Sequence, residues 1–177
     1  DNLENVKTFI SESDLPVSVT TSVPETEKLK ELLNMKHNGV MLSLHAGTTK
    51  THKRLIPKAA SLDDIFQALD DTFENISGNK KRKIGINYLL FERVNDSESE
   101  IAAFVERVSD YREVTVHLLV CNPVEKSRFE SPDSEKVADI YNKMKNTGLN
   151  VRRANNWRKE AKGGCGTLFL KHLQNKY

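Results

Sequence analysis

Lys83-Ile84-Gly85-Ile86-Asn87-Tyr88-Leu89-Leu90-Phe91 is followed by Ile101, Phe104, Val105 and Val108, and then by Val114-Thr115-Val116-His117-Leu118-Leu119-Val120-Cys121. The two outer runs have strand length and are rich in β-branched and apolar residues, whereas the inner one repeats at spacings of three and four. A strand, a helix and a second strand in that order form a unit whose strands run parallel, because the helix returns the chain to its starting edge. Ser97 and Glu100 carry the serine-then-glutamate spacing of a capping box in front of that helix.

The same alternation extends both ways. Upstream, Val17-Ser18-Val19-Thr20-Thr21 and Gly39-Val40-Met41-Leu42-Ser43-Leu44 read as strands. Leu29, Leu32 and Leu33 form a helical face after the first. Leu62, Ile65, Phe66, Leu69, Phe73 and Ile76 form another after the second, behind Ser61 and Asp64 as an N-cap. Downstream, Ser131-Pro132 reads as a cap with proline in the first turn. Val137, Ile140, Tyr141 and Met144 make a buried face, Gly148 ends it, and Leu149 to Arg153 is a last strand. Strands that read as nearly continuous apolar runs suit a parallel sheet covered by helices, so an α/β fold is expected.

Composition narrows the function classes. A chain of 177 residues with 37% hydrophobic and 29% charged residues suits one globular domain, 1–177. Two cysteines, Cys121 and Cys165, make no disulfide framework, which predicts a reducing, cytoplasmic setting. No apolar run approaches the ~20 residues of a membrane span, and the start is not a signal peptide. The net charge of +2 is small, but cations bunch at Lys50 to Arg54, Lys80 to Lys83 and Arg152 to Lys162. Each bunch reads either as a solvated face or as a contact to phosphate.

In parallel α/β folds, ligands bind where strands end and loops lead into helices. Four such loops carry polar groups: Thr20-Thr21-Ser22, Ser43-Leu44-His45-Ala46, Val94-Asn95-Asp96 and Asn122-Pro123-Val124. They suit hydrogen bonding to a ribose, an amide or an amino-acid head group, and they equally suit turn formation. Neither zinc-ligand spacing nor a phosphate-cradling glycine loop is present. Gly163-Gly164-Cys165-Gly166-Thr167-Leu168 sets a thiol among glycines behind Arg152-Arg153-Ala154-Asn155-Asn156-Trp157-Arg158-Lys159, which predicts a reachable, mobile sulfur. Trp157 reads as a base-stacking group or as a packing residue. Cys121, at a strand end, is expected in the core.

Taken in order, these boxes, with Leu55-Ile56-Pro57 and Val151-Arg152-Arg153 between them, resemble the radical S-adenosylmethionine RNA methyltransferases that modify adenine at carbon 2 or carbon 8. The resemblance runs from about residue 1 to about residue 170. It implies a partial (β/α) barrel of mainly parallel strands in which Thr20, Ser43, Leu44, His45 and Asn122 hold S-adenosylmethionine. It also implies that Cys165, in a C-terminal extension of about 154–177, carries the methyl group to an adenine carbon of ribosomal or transfer RNA. The family's C-x-x-x-C-x-x-C loop for a 4Fe-4S cluster is not in this sequence. The chain is therefore read as the C-terminal part of a larger enzyme, truncated by two strands, with an electron donor as a further partner. As such it is expected to leave an open sheet edge at its first strand and to be unable to perform the radical step alone. Two other readings stay open: a different radical enzyme, such as a glycyl-radical activating enzyme, and a non-catalytic α/β module that binds nucleotides or RNA.

Overall fold

A computed structural model describes residues 2–121 and 129–153. Its elements are α1 (Asn2–Glu12), β1 (Ser18–Thr21), α2 (Thr26–Asn34), β2 (Gly39–Ser43), α3 (Thr49–Leu55), α4 (Leu62–Phe73), α5 (Gly78–Lys81), β3 (Ile84–Leu90), α6 (Glu98–Val108), β4 (Thr115–Val120), α7 (Ser134–Asn146) and β5 (Asn150–Arg153). Five parallel strands lie in the order β1-β2-β3-β4-β5. All five strands expected from the sequence are present, each within a residue or two of its expected ends. Three helices were not legible as apolar stripes: α1, α3 and the one-turn α5.

The strictly sequential order decides the architecture. Right-handed crossovers that always step in one direction place every connecting helix on the same face of the sheet, as in a singly wound barrel. Burial agrees. Val40, Leu42, Ile84, Ile86, Tyr88, Leu90, Val116 and Leu118 are almost wholly buried and join one cluster with Leu33 of α2, Leu69 of α4, Phe104 of α6 and Met144 of α7. The alternate residues, among them Thr20, Met41, Ser43, Asn87, Leu89, His117, Leu119 and Arg152, are half-buried or exposed. Among the described residues, the helices cover one face of the sheet. The strands look continuously apolar because the second face also carries Met41, Leu89 and Leu119.

Local signals position the helices. Ser61 Oγ accepts the Asp64 N–H at 3.1 Å and donates to the Asp64 carboxylate at 2.6 Å, completing the expected cap. α7 starts later than Ser131-Pro132 suggests: Asp133 caps it, accepting the Lys136 N–H at 2.7 Å. Asp133 provides a carboxylate acceptor at the N-cap, whereas Ser131 Oγ donates to the Pro132 carbonyl. Gly148, at φ +85°, ends that helix in the left-handed region where glycine pays no Cβ penalty. Ile76 lies beyond the end of α4 but packs against the core. β1 has β2 as its one neighbour among the described residues, so the expected open edge is there. No helix among the described residues is long and apolar enough to cross a membrane.

Candidate active site

The carboxyl ends of β1, β2 and β3 share a backbone feature. Each is followed by a non-glycine residue in the left-handed region: Val23 (φ 55°), His45 (φ 57°) and Arg93 (φ 57°). A β-branched residue rarely adopts this conformation, and such strain gathers where surrounding structure enforces it. Val23 is held by its N–H to Thr21 Oγ1 at 3.0 Å and by its carbonyl, which accepts the Ala60 N–H at 2.9 Å.

His45 is held more tightly. Its Nδ1 accepts the Leu89 N–H at 3.0 Å, which leaves the imidazole proton on Nε2, and its own N–H donates to the Asn87 carbonyl at 3.3 Å. Its carbonyl accepts from Asn95 Nδ2 at 2.7 Å. Burial pushes the ring's pKa down to about 4, and neighbouring His52 adds to the effect, while the Asn87 carbonyl opposes it. The ring is therefore neutral near pH 7, with an Nε2–H donor that no described residue accepts.

Asn95 is the hub of this rim. Wholly buried, it donates from Nδ2 to the His45 and Leu89 carbonyls and accepts the Phe91 N–H on Oδ1, all at 2.7 Å; its own carbonyl accepts the Tyr88 hydroxyl at 2.7 Å. Glu100 fastens the next stretch. The sequence assigns its side chain to a capping box, and Ser97 Oγ does accept the Glu100 N–H at 3.3 Å. The Glu100 carboxylate, however, accepts the Gly47 and Thr48 N–H groups at 2.7 and 2.9 Å, and the Thr48 and Thr51 hydroxyls at 3.0 and 3.1 Å. Four donors from the β2–α3 loop and the first turn of α3 outcompete one exposed backbone N–H. The Gly47 carbonyl in turn accepts Arg107 Nε at 2.9 Å.

The site residues expected from sequence separate as follows. Ser43 and His45 come together at the end of β2. Leu44 sits between them, but its side chain is fully buried in the helix-covered core, so its backbone is what the rim can use. Thr20 stands one strand away, exposed on the edge, and lines a cleft of about 270 Å³ with Leu3 and Val6 of α1. Asn122, Trp157 and Cys165 lie outside the described residues. Cys121 is half-buried rather than deep in the core, with burial raising its thiol pKa.

Register adds what sequence reading missed. Ser43 pairs with Asn87, Asn87 with His117, and His117 with Arg152, forming a polar row across four strands on the other face. At about 4.8 Å between strands, the row is about 14 Å long. The Thr20 and Ser43 hydroxyls and the Asn87 side-chain amide have no hydrogen-bond partner among the described residues. The alternation that selects Asn87 and His117 was visible in the sequence, but their common face was not.

No protein-family model matches the chain. Individual proteins do. The chain is 28% identical over 185 residues to the "Probable dual-specificity RNA methyltransferase RlmN" of Caldicellulosiruptor saccharolyticus, covering 97% of this chain and 52% of that protein. It is 30% identical over 164 residues to the "Dual-specificity RNA methyltransferase RlmN" of Nitratidesulfovibrio vulgaris, covering 90% of this chain and 43% of that one. This chain is similar in sequence to the RlmN RNA methyltransferases over nearly all of its own length. It spans about half the length of the curated relatives it matches. Among solved structures, a radical SAM methyltransferase from Sphaerobacter thermophilus superposes with a TM-score of 0.74 at 19% identity, over 85% of this chain and 43% of that one. A domain of a pyruvate-formate lyase-activating enzyme from Bacteroides vulgatus superposes with a TM-score of 0.66 at 14% identity, over 87% of this chain and 92% of that one. Both likenesses speak for the fold.

The rim's chemistry fits S-adenosylmethionine, which offers ribose hydroxyls, an adenine edge and an amino-acid head group to hydrogen-bonding partners. The unspent Thr20, Ser43, Asn87 and His45 groups supply donors and acceptors without a fixed charge of either sign. An iron-sulfur cluster does not fit. No group of three or more histidine, cysteine or acidic side chains is arranged to hold a metal ion among the described residues.

Proposed function

We propose that this chain is the C-terminal part of a cytoplasmic radical S-adenosylmethionine methyltransferase that methylates an adenine carbon in ribosomal or transfer RNA, with Cys165 as the methyl-carrying residue. The observation that carries the reading is the Ser43-Leu44-His45-Ala46 turn. It is strained, locked by Asn95 and Leu89, and turned toward a sheet face with unspent polar groups. Similarity to RNA methyltransferases along nearly the whole chain supports it.

Within this reading the chain's residues have distinct tasks. S-adenosylmethionine, when bound, supplies the methyl group and the source of the radical. Ser43 and Thr20 orient it by their hydroxyls, Leu44 by its backbone, and His45 by its Nε2–H; the family resemblance gives Asn122 the same task. A neutral imidazole suits that role, because it donates a hydrogen bond without repelling a sulfonium cation. Cys165, once its thiol has lost its proton, would take up the methyl group as a thioether, the sulfonium–methyl bond breaking and S-adenosylhomocysteine leaving, since an adenine carbon that is not nucleophilic cannot take the methyl group by direct displacement. The 4Fe-4S ligands and the docking site of an electron donor lie in the rest of the enzyme, so no radical step is assigned to the residues described here.

The test is Cys165→Ala in the enzyme that carries this chain, read by mass spectrometry of nucleosides from cellular RNA. Loss of a methyladenosine is the expected result. Persistent methylation would overturn the role of Cys165. A glycyl radical in a protein partner, detected by electron paramagnetic resonance and insensitive to Cys165→Ala, would favour the activating-enzyme reading.

A further inference from the structure

Of the three basic runs in the sequence, the fold treats two differently. Lys80 to Lys83 lies at the amino-terminal end of β3, the rim opposite His45, and spends its charge locally. Lys80 donates to the Asn34 carbonyl, Arg82 to Asn79 and Lys83 to the His37 carbonyl at 3.4 Å, while Lys81 lies 5.3 Å over the Phe73 ring. Lys50, Lys53 and Arg54 lie on α3, which leads directly out of the His45 turn. All three are exposed, as is Lys58 just beyond, and none of the four side chains has a hydrogen bond, ion pair or ring contact among the described residues. Asp63, which accepts from Thr49 at 3.3 Å, is paired with Arg107 at 2.8 Å.

The spacing i, i+3 and i+4 sets Lys50, Lys53 and Arg54 on one face of α3. The opposite face is anchored. His52 is 1% exposed, Thr48 caps the helix by accepting the Thr51 N–H at 3.2 Å, and both threonine hydroxyls reach Glu100. Stacked like charges at these spacings destabilise a helix. The helix dipole offsets this for Lys53 and Arg54 in the last turn but opposes Lys50 in the first. Three exposed cations gathered on one face of a rigidly seated helix, with Lys50 at the end where the dipole disfavours it, are available to a partner outside the described residues.

We infer that this face of α3 is a docking surface for the phosphate backbone of RNA, holding the nucleic acid against the rim beside His45. The inference rests on the RNA-modifying reading above. Ammonium groups and a guanidinium on long flexible side chains, rooted on one helix face, can reach successive phosphates, and they require no base-specific geometry.

The test uses this chain and a labelled RNA stem-loop, with affinity followed by fluorescence anisotropy from about 50 to about 300 mM salt. Neutralising α3 with K50Q, K53Q and R54Q together is expected to lower low-salt affinity on the order of tenfold, and to reduce the log–log salt slope by about 2–3. The control K80Q, K81Q and K83Q, which removes equal charge at the other rim, is expected to change little. Thermal melts check the fold; if the triple variant melts early, Lys50→Gln and Arg54→Gln alone should each reduce the slope by about 1. An unchanged slope, equal losses in both triple variants, or no RNA binding by the unaltered chain at low salt overturns the inference. So does α3-dependent binding to phosphatidylserine vesicles without α3-dependent binding to RNA. Calorimetry with S-adenosylmethionine separates this from the methyltransferase reading. An α3-dependent RNA slope without S-adenosylmethionine binding leaves the docking surface standing, and the converse leaves the cofactor site standing.

Discussion

Asn95 and His45 show how much one strand-end loop depends on two side chains. Removing the Asn95 amide leaves two carbonyls and one N–H unpaired in a wholly buried place, each worth about 1–3 kcal/mol. Asn95→Ala is therefore expected to destabilise the chain by roughly 3 kcal/mol or more in urea unfolding. His45 predicts a pH dependence of definite sign. Its folded pKa of about 4 lies below the ordinary 6.5, so above pH 6.5 neither folded nor unfolded chain is protonated there and stability is full. As the pH falls from 6.5 toward 4, the unfolded chain binds a proton that the folded site refuses, and stability is lost, levelling below 4. His37 and His52, also lowered chiefly by burial, act in the same direction. Urea midpoints at pH 7 and pH 5 should differ accordingly, and His45→Gln should remove part of the difference.

Between elements, the decisive contact is α6 against the β2–α3 loop. Gly47 sits so close to α6 that a Cβ there would overlap the Glu100 carbonyl and the Phe104 N–H. Gly47→Ala must push backbone aside, and a loss of roughly 1–3 kcal/mol is expected from overpacking. Glu100→Ala strips four donors of their acceptor. It should cost about 3 kcal/mol and speed hydrogen exchange in α3, whereas Glu100→Gln, which keeps one oxygen, should cost less. Sequence spacing located the Ser97 cap and the start of α6. It could not show where the Glu100 side chain goes, because that choice depends on a loop about 50 residues away. α3 was unreadable for a related reason: its inward face is made of Thr51, His52 and Leu55 rather than a hydrophobic stripe, and it is stable through the Glu100 clamp.

Across the whole molecule, the two faces of the sheet should respond differently to truncation. Leu42→Ala, on the helix-covered face, is expected to cost 2–5 kcal/mol. Asn87→Ala, half-buried on the other face and without a side-chain partner among the described residues, should stay within about 0.5 kcal/mol. If calorimetry detects S-adenosylmethionine, Asn87→Ala and Ser43→Ala should weaken it without shifting the urea midpoint. Equal destabilisation by Leu42→Ala and Asn87→Ala would contradict the one-sided sheet.

By itself the sequence determined the strands, four of the helices, their parallel order and the family resemblance, because apolar periodicity, caps and short boxes are local properties. It also singled out Ser43 and His45. Only the tertiary structure decided that the helices gather on one face, that Ser43, Asn87, His117 and Arg152 form a row, and that Asn95 and Glu100 lock the rim. It also showed which of two basic runs keeps its charge unspent. Each of these depends on register and on contacts between residues far apart in the chain, which local patterns do not encode.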